Sequence, residues 1–221
     1  IIVVVCIVVA HLIFHLGFST QFLDAEKHKA KNIFGTMYQG GWVVPILIST
    51  FFVMLSFLVE RSLTIFKARG KMSNGDFIKK VQFHLASKNV DAAIAECDKQ
   101  AGSVGNVMKA GLKKYKEMIS NTSFDTDQKI EQIKKEVEET TALELPMLEK
   151  NLVFLSTITS AATLLGLFGT VMGMIRAFAA MSNAGAPDAN ALAAGISEAL
   201  VNTALGIGTS FLAMIAYNFF T

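Results

Sequence analysis

Residues 152–181 read LVFLSTITSAATLLGLFGTVMGMIRAFAAM. A helix of roughly 20 mostly apolar residues crosses the hydrocarbon core of a bilayer. This run exceeds that length, and Arg176 is its one charged residue. Polar groups nevertheless recur along it, at Ser156, Thr157, Thr159, Ser160, Thr163, Thr170 and Arg176. Inside a span such side chains are costly unless they face protein or water. Thr159, Thr163, Gly166, Thr170 and Gly173 follow one another at three- and four-residue steps. That spacing places them on one helix face.

Downstream, Ala189–Thr221 is a second long apolar run with a matching stripe of Gly195, Glu198, Asn202, Gly206 and Ser210, and Thr203 beside it. Small residues let helix backbones approach closely, so packing alone accounts for the glycines. Glu198 is different, because an acid within a span is a functional candidate by default. Upstream lie Trp42–Val59, which ends on Glu60-Arg61, and Ile1–Phe18, interrupted by His11 and His15. The first run is long for a signal-peptide core and no A-x-A site follows it, which favours a span.

The sequence therefore predicts an all-α, polytopic membrane protein whose long helices extend into a cytoplasmic helical domain. Its layout is an extra N-terminal transmembrane helix at 1–18, a periplasmic link at 19–41 and a transmembrane helix at 42–66. A cytoplasmic helical domain follows at 67–150, then a transmembrane helix at 151–182, a periplasmic turn at 183–189 and a last transmembrane helix at 190–221. The 221 residues are 52% hydrophobic and 17% charged, a balance too apolar for an ordinary soluble domain. Most Lys and Arg fall between Lys67 and Lys150, which places that segment in the cytoplasm by the positive-inside rule. The link Ser19–Gly41 carries only Lys27, Lys29 and Lys31, and the turn Ser182–Ala189 carries no base. Trp42 suits an interfacial anchor at the outer end of its span. With no initiator Met and an end inside an apolar run, the chain reads as an ordered fragment of a longer one.

The cytoplasmic insert reads as helices at Asp76–Ala86, Asp91–Gln100 and Val104–Ile119, with start signals at Ser73-Asn74-Gly75, Asn89 and Gly102-Ser103. A longer helix at Asp127–Leu145 carries Ile130, Ile133, Val137, Thr141 and Leu145 at helical spacing. Pro146 is expected to kink or restart it before the third span, giving a rod that runs from cytoplasm into membrane. The insert's bases are matched by acids, which describes a solvated surface rather than a nucleic-acid site. Lys67, Arg69 and Lys71 are placed to meet lipid headgroups.

Depth links the two polar stripes. With the outer turn at Ser182–Ala189, Thr170 lies about 18 Å and Thr203 about 20 Å below it, at 1.5 Å per residue. By the same arithmetic Arg176 and Glu198 lie about 9 and 12 Å deep. Glu198 is then either a structural ion-pair partner of Arg176 or part of a proton path. A threonine hydroxyl donates and accepts hydrogen bonds without carrying charge, so it orders water or a carboxylic acid and stores no proton. A titrating carboxylate would come from another chain.

Several chemistries are set aside. Two cysteines, Cys6 and Cys97, make no disulfide framework. His11 and His15 share a face but have no acid or Cys nearby, so no metal or other cofactor is expected. No P-loop, G-x-S-x-G or H-E-x-x-H pattern occurs, and the glycines of 166–173 follow no strand. An enzyme is not expected. Nor is a solute transporter, because no inverted repeat or broken mid-membrane helix is seen.

At these same residues the chain resembles the MotA/TolQ/ExbB proton channel family, most closely its ExbB branch. The run Leu164-Leu165-Gly166-Leu167-Phe168-Gly169-Thr170-Val171-Met172-Gly173-Met174-Ile175 is similar to the signature Gly-Leu-x-Gly-Thr-Val-x-Gly-Met. The run Gly195 to Gly206 resembles the partner signature of the last helix, Ala216-Tyr217-Asn218 its ending, and Glu60-Arg61 the first shared helix. The middle resembles the family loosely, through Ala92–Cys97 and Val107–Leu112.

The resemblance implies that Thr170 and Thr203 are pore threonines and Glu198 the intramembrane glutamate; Asn202 and Thr163, from the polar stripes, join them as candidates for the proton pathway. It implies a homopentameric ring in the Gram-negative inner membrane, an ExbD-like single-span partner in the pore that supplies an ionisable Asp, and a TonB-like protein driven by proton flow. Three departures stand out. Thr163 and Leu212 replace family prolines, and the extra first span is not part of the three-helix ExbB core, although four spans do occur in the MotA branch. A TolQ-like role in envelope maintenance, a MotA- or gliding-type stator and a passive scaffold are the alternatives.

Overall fold

A computed structural model describes residues 2–18, 33–183 and 189–221. Most of the expected periplasmic link, with Lys27, His28, Lys29 and Lys31, and the core of the expected outer turn lie outside the described residues. Among the described residues there is no strand. The chain divides into two compact units, residues 1–59 with 151–221, and residues 60–150.

The first unit opens with α1 (Ile2–Leu12), continued by a wider π-helical segment (Ile13–Phe18). At 1.5 Å per residue these helices reach about 25 Å, against a hydrocarbon core of roughly 30 Å. Three other helices are long and apolar enough to cross a membrane, whereas this one is shorter. A short helix, α2 (Ile33–Gln39), forms where the sequence suggested only a link. Phe14 stacks on its Tyr38 with ring centroids 4.9 Å apart. Phe14, Phe18 and Val44 bury together against Met37, Tyr38, Val201 and Leu205.

After Gly40-Gly41-Trp42 the chain enters α3 (Val43–Arg69), which carries Met54 into the unit's larger core. That core joins Met54 to Leu152 and Leu155 of α8 (Leu152–Asn183) and to Ala213 and Ala216 of α9 (Ala189–Phe220). The α8/α9 pair is seamed by small residues. A Cβ on Gly206 would sit 2.7 Å from the Ala162 carbonyl oxygen and from the Gly166 Cα. One on Gly173 would sit 2.8 Å from the Ala199 nitrogen and the Gly195 oxygen. Backbone meets backbone there, which only glycine permits. The opposite faces expose Leu164, Leu167, Val171 and Ile175 on α8 and Leu200, Ile207 and Phe211 on α9. An apolar outward face suits lipid or a second copy of the chain.

The unit of residues 60–150 begins with the end of α3. That helix runs past Glu60-Arg61 and stops at Gly70, whose φ of +79° ends it in the left-handed region. Arg61 is buried: its Nε and Nη2 donate to the Glu60 carboxylate at 2.9 and 2.8 Å, and its Nη1 donates to the Leu148 carbonyl at 2.9 Å. Then come α4 (Asn74–Ala86), α5 (Val90–Gln100), α6 (Ser103–Ser120) and α7 (Thr126–Glu149). Phe77, Val81, Ala93, Cys97 and Leu112 form the core of α4, α5 and α6. The Asn89 side chain caps α5 by accepting from the Ala92 N–H at 3.0 Å. Asp125 and Gln128 build a reciprocal capping box at the start of α7.

The long helix does not stop at Pro146. It continues to Glu149, and the interruption falls at Lys150-Asn151, where Asn151 has φ +69°. Proline removes one N–H donor, which costs the helix a single hydrogen bond. A left-handed residue, which asparagine tolerates, ends the helical path altogether. The expected unbroken rod is therefore two helices.

Candidate functional site

On α8, the seam toward α9 is made by Ala162, Gly166, Gly169, Gly173 and Ala177, all buried. Thr170 borders it, half-buried, and so does Thr203 on α9. The structure brings these two threonines together, hydroxyl to hydroxyl. Each also lies within reach of its own preceding turn, Thr170 donating to the Gly166 carbonyl at 3.1 Å and Thr203 to the Ala199 carbonyl at 3.2 Å. The Ala199 carbonyl is 3.4 Å from Thr170 as well. Each hydroxyl has one proton, so one threonine donates to the other while the second donates to a carbonyl. Their proton positions are interchangeable without any charge being created.

Two turns of α8 toward its C-terminal end, Arg176 Nη1 donates to both oxygens of Glu198, at 2.8 and 3.0 Å. The partners differ in exposure: the Arg176 side chain is 48% exposed and that of Glu198 only 7%. The carboxylate thus belongs to the interior and the guanidinium to the rim. Gly41 closes over the pair with φ +75°, and a Cβ there would lie 2.3 Å from Glu198 Oε1. Of the two roles open to Glu198, an ion pair within one chain is present in this conformation.

The remaining candidates separate. Asn202 is fully buried, with its Nδ2 donating to the Gly40 carbonyl at 3.0 Å, and it packs on Gly169 rather than lining an open face. Thr163 is exposed and its hydroxyl donates to the Thr159 carbonyl at 3.2 Å, outside the threonine contact. Ser210 reaches across the seam to donate to that same carbonyl at 2.7 Å. Sequence reasoning missed Gly40, Gly41 and Gly169. A Gly-Gly pair directly before an apolar run was the available signal for the first two, and the four-residue step from Gly169 to Gly173 for the third.

Elsewhere the chemistry is quiet. His11 and His15 have ring centroids 4.5 Å apart and both are exposed. Among the described residues no group of three or more His, Cys, Asp or Glu side chains converges. Cys97 is buried, and burial pushes its thiol above the usual range, the opposite of an activated nucleophile. On the surface of α5, a hydrogen bond from Lys99 holds the Glu96 carboxyl below its usual value.

Comparison with known proteins bears on this geometry. The chain is similar to Tol-Pal system protein TolQ of Pseudomonas aeruginosa, 32% identical over 130 residues that make up 56% of each chain. It is also similar to Tol-Pal system protein TolQ of Haemophilus influenzae, 43% identical over 75 residues, 34% of this chain and 33% of that one. With biopolymer transport protein ExbB of Neisseria gonorrhoeae it shares 26% identity over 196 residues, 79% of this chain and 82% of that one. The chain thus spans about half the length of the first relative and a third of the second. Residues 99–221, more than half of the chain, match the MotA/TolQ/ExbB proton channel family model, and they contain both threonines, Arg176 and Glu198. With three helices long and apolar enough to span a membrane and this match across α8 and α9, the chain belongs to the MotA/TolQ/ExbB proton channel family.

Proposed function

We propose that this chain is the channel subunit of a proton-driven motor in the inner membrane of a Gram-negative bacterium, energising TonB-dependent import across the outer membrane. It works as a homopentamer around a single-span, ExbD-like partner whose carboxyl group carries the proton, and a TonB-like protein takes up the motion. The observation that supports this most directly is the hydroxyl contact between Thr170 and Thr203 on adjacent apolar helices. Two neutral groups that exchange donor and acceptor roles receive a protonated or an ionised carboxyl equally well. They offer no charge to trap it. Glu198, paired with Arg176 on the same seam, would respond to that carboxyl through its field and would not store the transported proton.

Replacing Thr170 or Thr203 by Val keeps the shape and removes the hydroxyl. The expected outcome is unchanged assembly with the partner and a fall of about ten- to a hundredfold in proton-driven uptake, equivalent to one lost hydrogen bond at the barrier. Normal assembly with undiminished uptake in both variants sinks the proposal and leaves a passive scaffold.

A second reading has specific support, since two of the relatives are named as Tol-Pal system proteins. In it the same channel drives envelope maintenance instead of import. Expression of the whole protein in strains lacking either ExbB or TolQ separates the two: restored iron–siderophore uptake marks the first, and restored resistance to detergent marks the second.

A further inference from the structure

Asn202 does more than fill the α8/α9 seam. It is fully buried, and its Oδ1 has no hydrogen-bond partner among the described residues, while its Nδ2 donates to the Gly40 carbonyl at 3.0 Å. A seam built for packing alone is better served by alanine or leucine, which bury no unmatched polar atom. The amide is therefore there for its donor. Turning it over would aim its oxygen at the Gly40 oxygen, so the assignment of Nδ2 is fixed by the contact.

The acceptor belongs to a turn that touches the ion pair. Glu198 and Asn202 are one helical turn apart and share a face of α9. They meet two successive residues: Asn202 holds Gly40, and Glu198 lies against Gly41. Neither glycine tolerates a side chain. A Cβ on Gly40 would sit 2.5 Å from Val44 Cγ2 and 2.9 Å from Val201 Cγ1. One on Gly41, already at φ +75°, would sit 2.3 Å from Glu198 Oε1 and 3.2 Å from Arg176 Nη1. The turn backbone thus covers the carboxylate, which helps to explain why Glu198 is 5% exposed.

We propose that Asn202 is a positioning residue: its amide hooks the Gly40–Trp42 turn onto α9, and the turn in turn holds the Glu198 carboxylate against Arg176 and away from water. The hook itself is independent of the channel assignment. Its consequence for proton-driven activity rests on the role given above to Glu198.

Trp42, the sole tryptophan of the 221 residues, reports on this turn. Its ring meets the Phe168 ring edge-on at 6.0 Å. The test uses the purified homo-oligomer in detergent for fluorescence and the whole complex in cells for uptake. Asn202→Leu removes the donor at similar bulk. It is expected to move Trp42 emission to longer wavelength, increase its quenching by acrylamide and lower uptake, with the oligomer intact. Gly40→Ala attacks the same contact from the turn, because its Cβ would meet Val44 and Val201 and lift the Gly40 carbonyl off α9; it is expected to give the same spectral change, so the question stays answerable if the seam variant fails to fold. An unaltered Trp42 spectrum in either folded variant overturns the hook. Glu198→Gln keeps the hook, so its Trp42 spectrum stays near that of the parent protein. Undiminished uptake in Glu198→Gln refutes the role assigned to that residue and leaves the hook to be judged on the Trp42 spectra alone.

Discussion

In the α8/α9 pair the helices touch through their backbones, at Gly166 against Gly206 and Gly173 against Gly195, and the polar groups sit among these contacts. In residues 60–150 they touch through side chains: Phe77, Val81, Cys97 and Leu112 make the core, and polar groups close its edges. Gln100 is the clearest of those edges. Fully buried, it accepts from the Met72 N–H at 2.9 Å and donates to the Met72 carbonyl at 2.9 Å. In water an apolar core drives helices together, and polar atoms have only to be satisfied. In lipid that drive is absent, so close contact and hydrogen bonding must supply it. Polar side chains therefore have different meanings in the two regions. In residues 60–150 they close the edges of a core, and in the pair they are part of the contact itself.

The largest effect expected from this contrast comes from Gly206→Leu. Its Cβ meets the Ala162 carbonyl and Gly166, neither of which can retreat without separating the helices. The variant should lose more than about 4 kcal/mol, read as loss of folded protein in detergent. Retention of the parent melting temperature would show that the seam is not backbone-tight. A middle effect is expected in the other region. Gln100→Leu leaves the Met72 N–H and carbonyl unpaired and should cost about 1–3 kcal/mol, with faster amide exchange in residues 60–150 and an unchanged Trp42 spectrum. The smallest is Asp125→Ala, which removes the capping box of α7 and should cost about 1 kcal/mol, seen as fraying of its first turn by amide exchange. If Asp125→Ala proved as damaging as Gly206→Leu, the contrast between the two regions would fail.

Legibility followed the same divide. Hydropathy located the three long helices, because their apolar runs are far longer than any soluble core requires. Helical spacing and start signals located α4 to α7 to within a few residues. Spacing also singled out Thr170, Thr203, Arg176 and Glu198, whose depths count directly from one turn. It did not show that Thr163 lies outside the threonine contact or that Asn202 is buried in the seam, because a stripe of polar and small residues does not reveal which members lie in the contact and which lie beside it. In the seam itself Ala162 and Gly169 take the places that spacing gave to Thr163 and Thr170. Nor did sequence show that Gly40-Gly41 reaches the ion pair, since the two segments are joined by folding over more than 150 residues and by no local pattern. Pro146 misled because a missing donor is a weaker stop than the left-handed Asn151 that follows it.

The paired glycines also limit how this seam can change by mutation. When a bulky core residue enlarges, a neighbour can shrink to make room. At Gly166 and Gly206 each residue faces a partner that has no side chain left to surrender. A one-step substitution at either position thus has no one-step compensation at the other. The outward faces, rich in Leu, Val and Ile, accept exchange among those types freely. Neutral drift in this chain is therefore channelled: the outward apolar surface is open to variation, while the line along which α8 and α9 meet is closed to it.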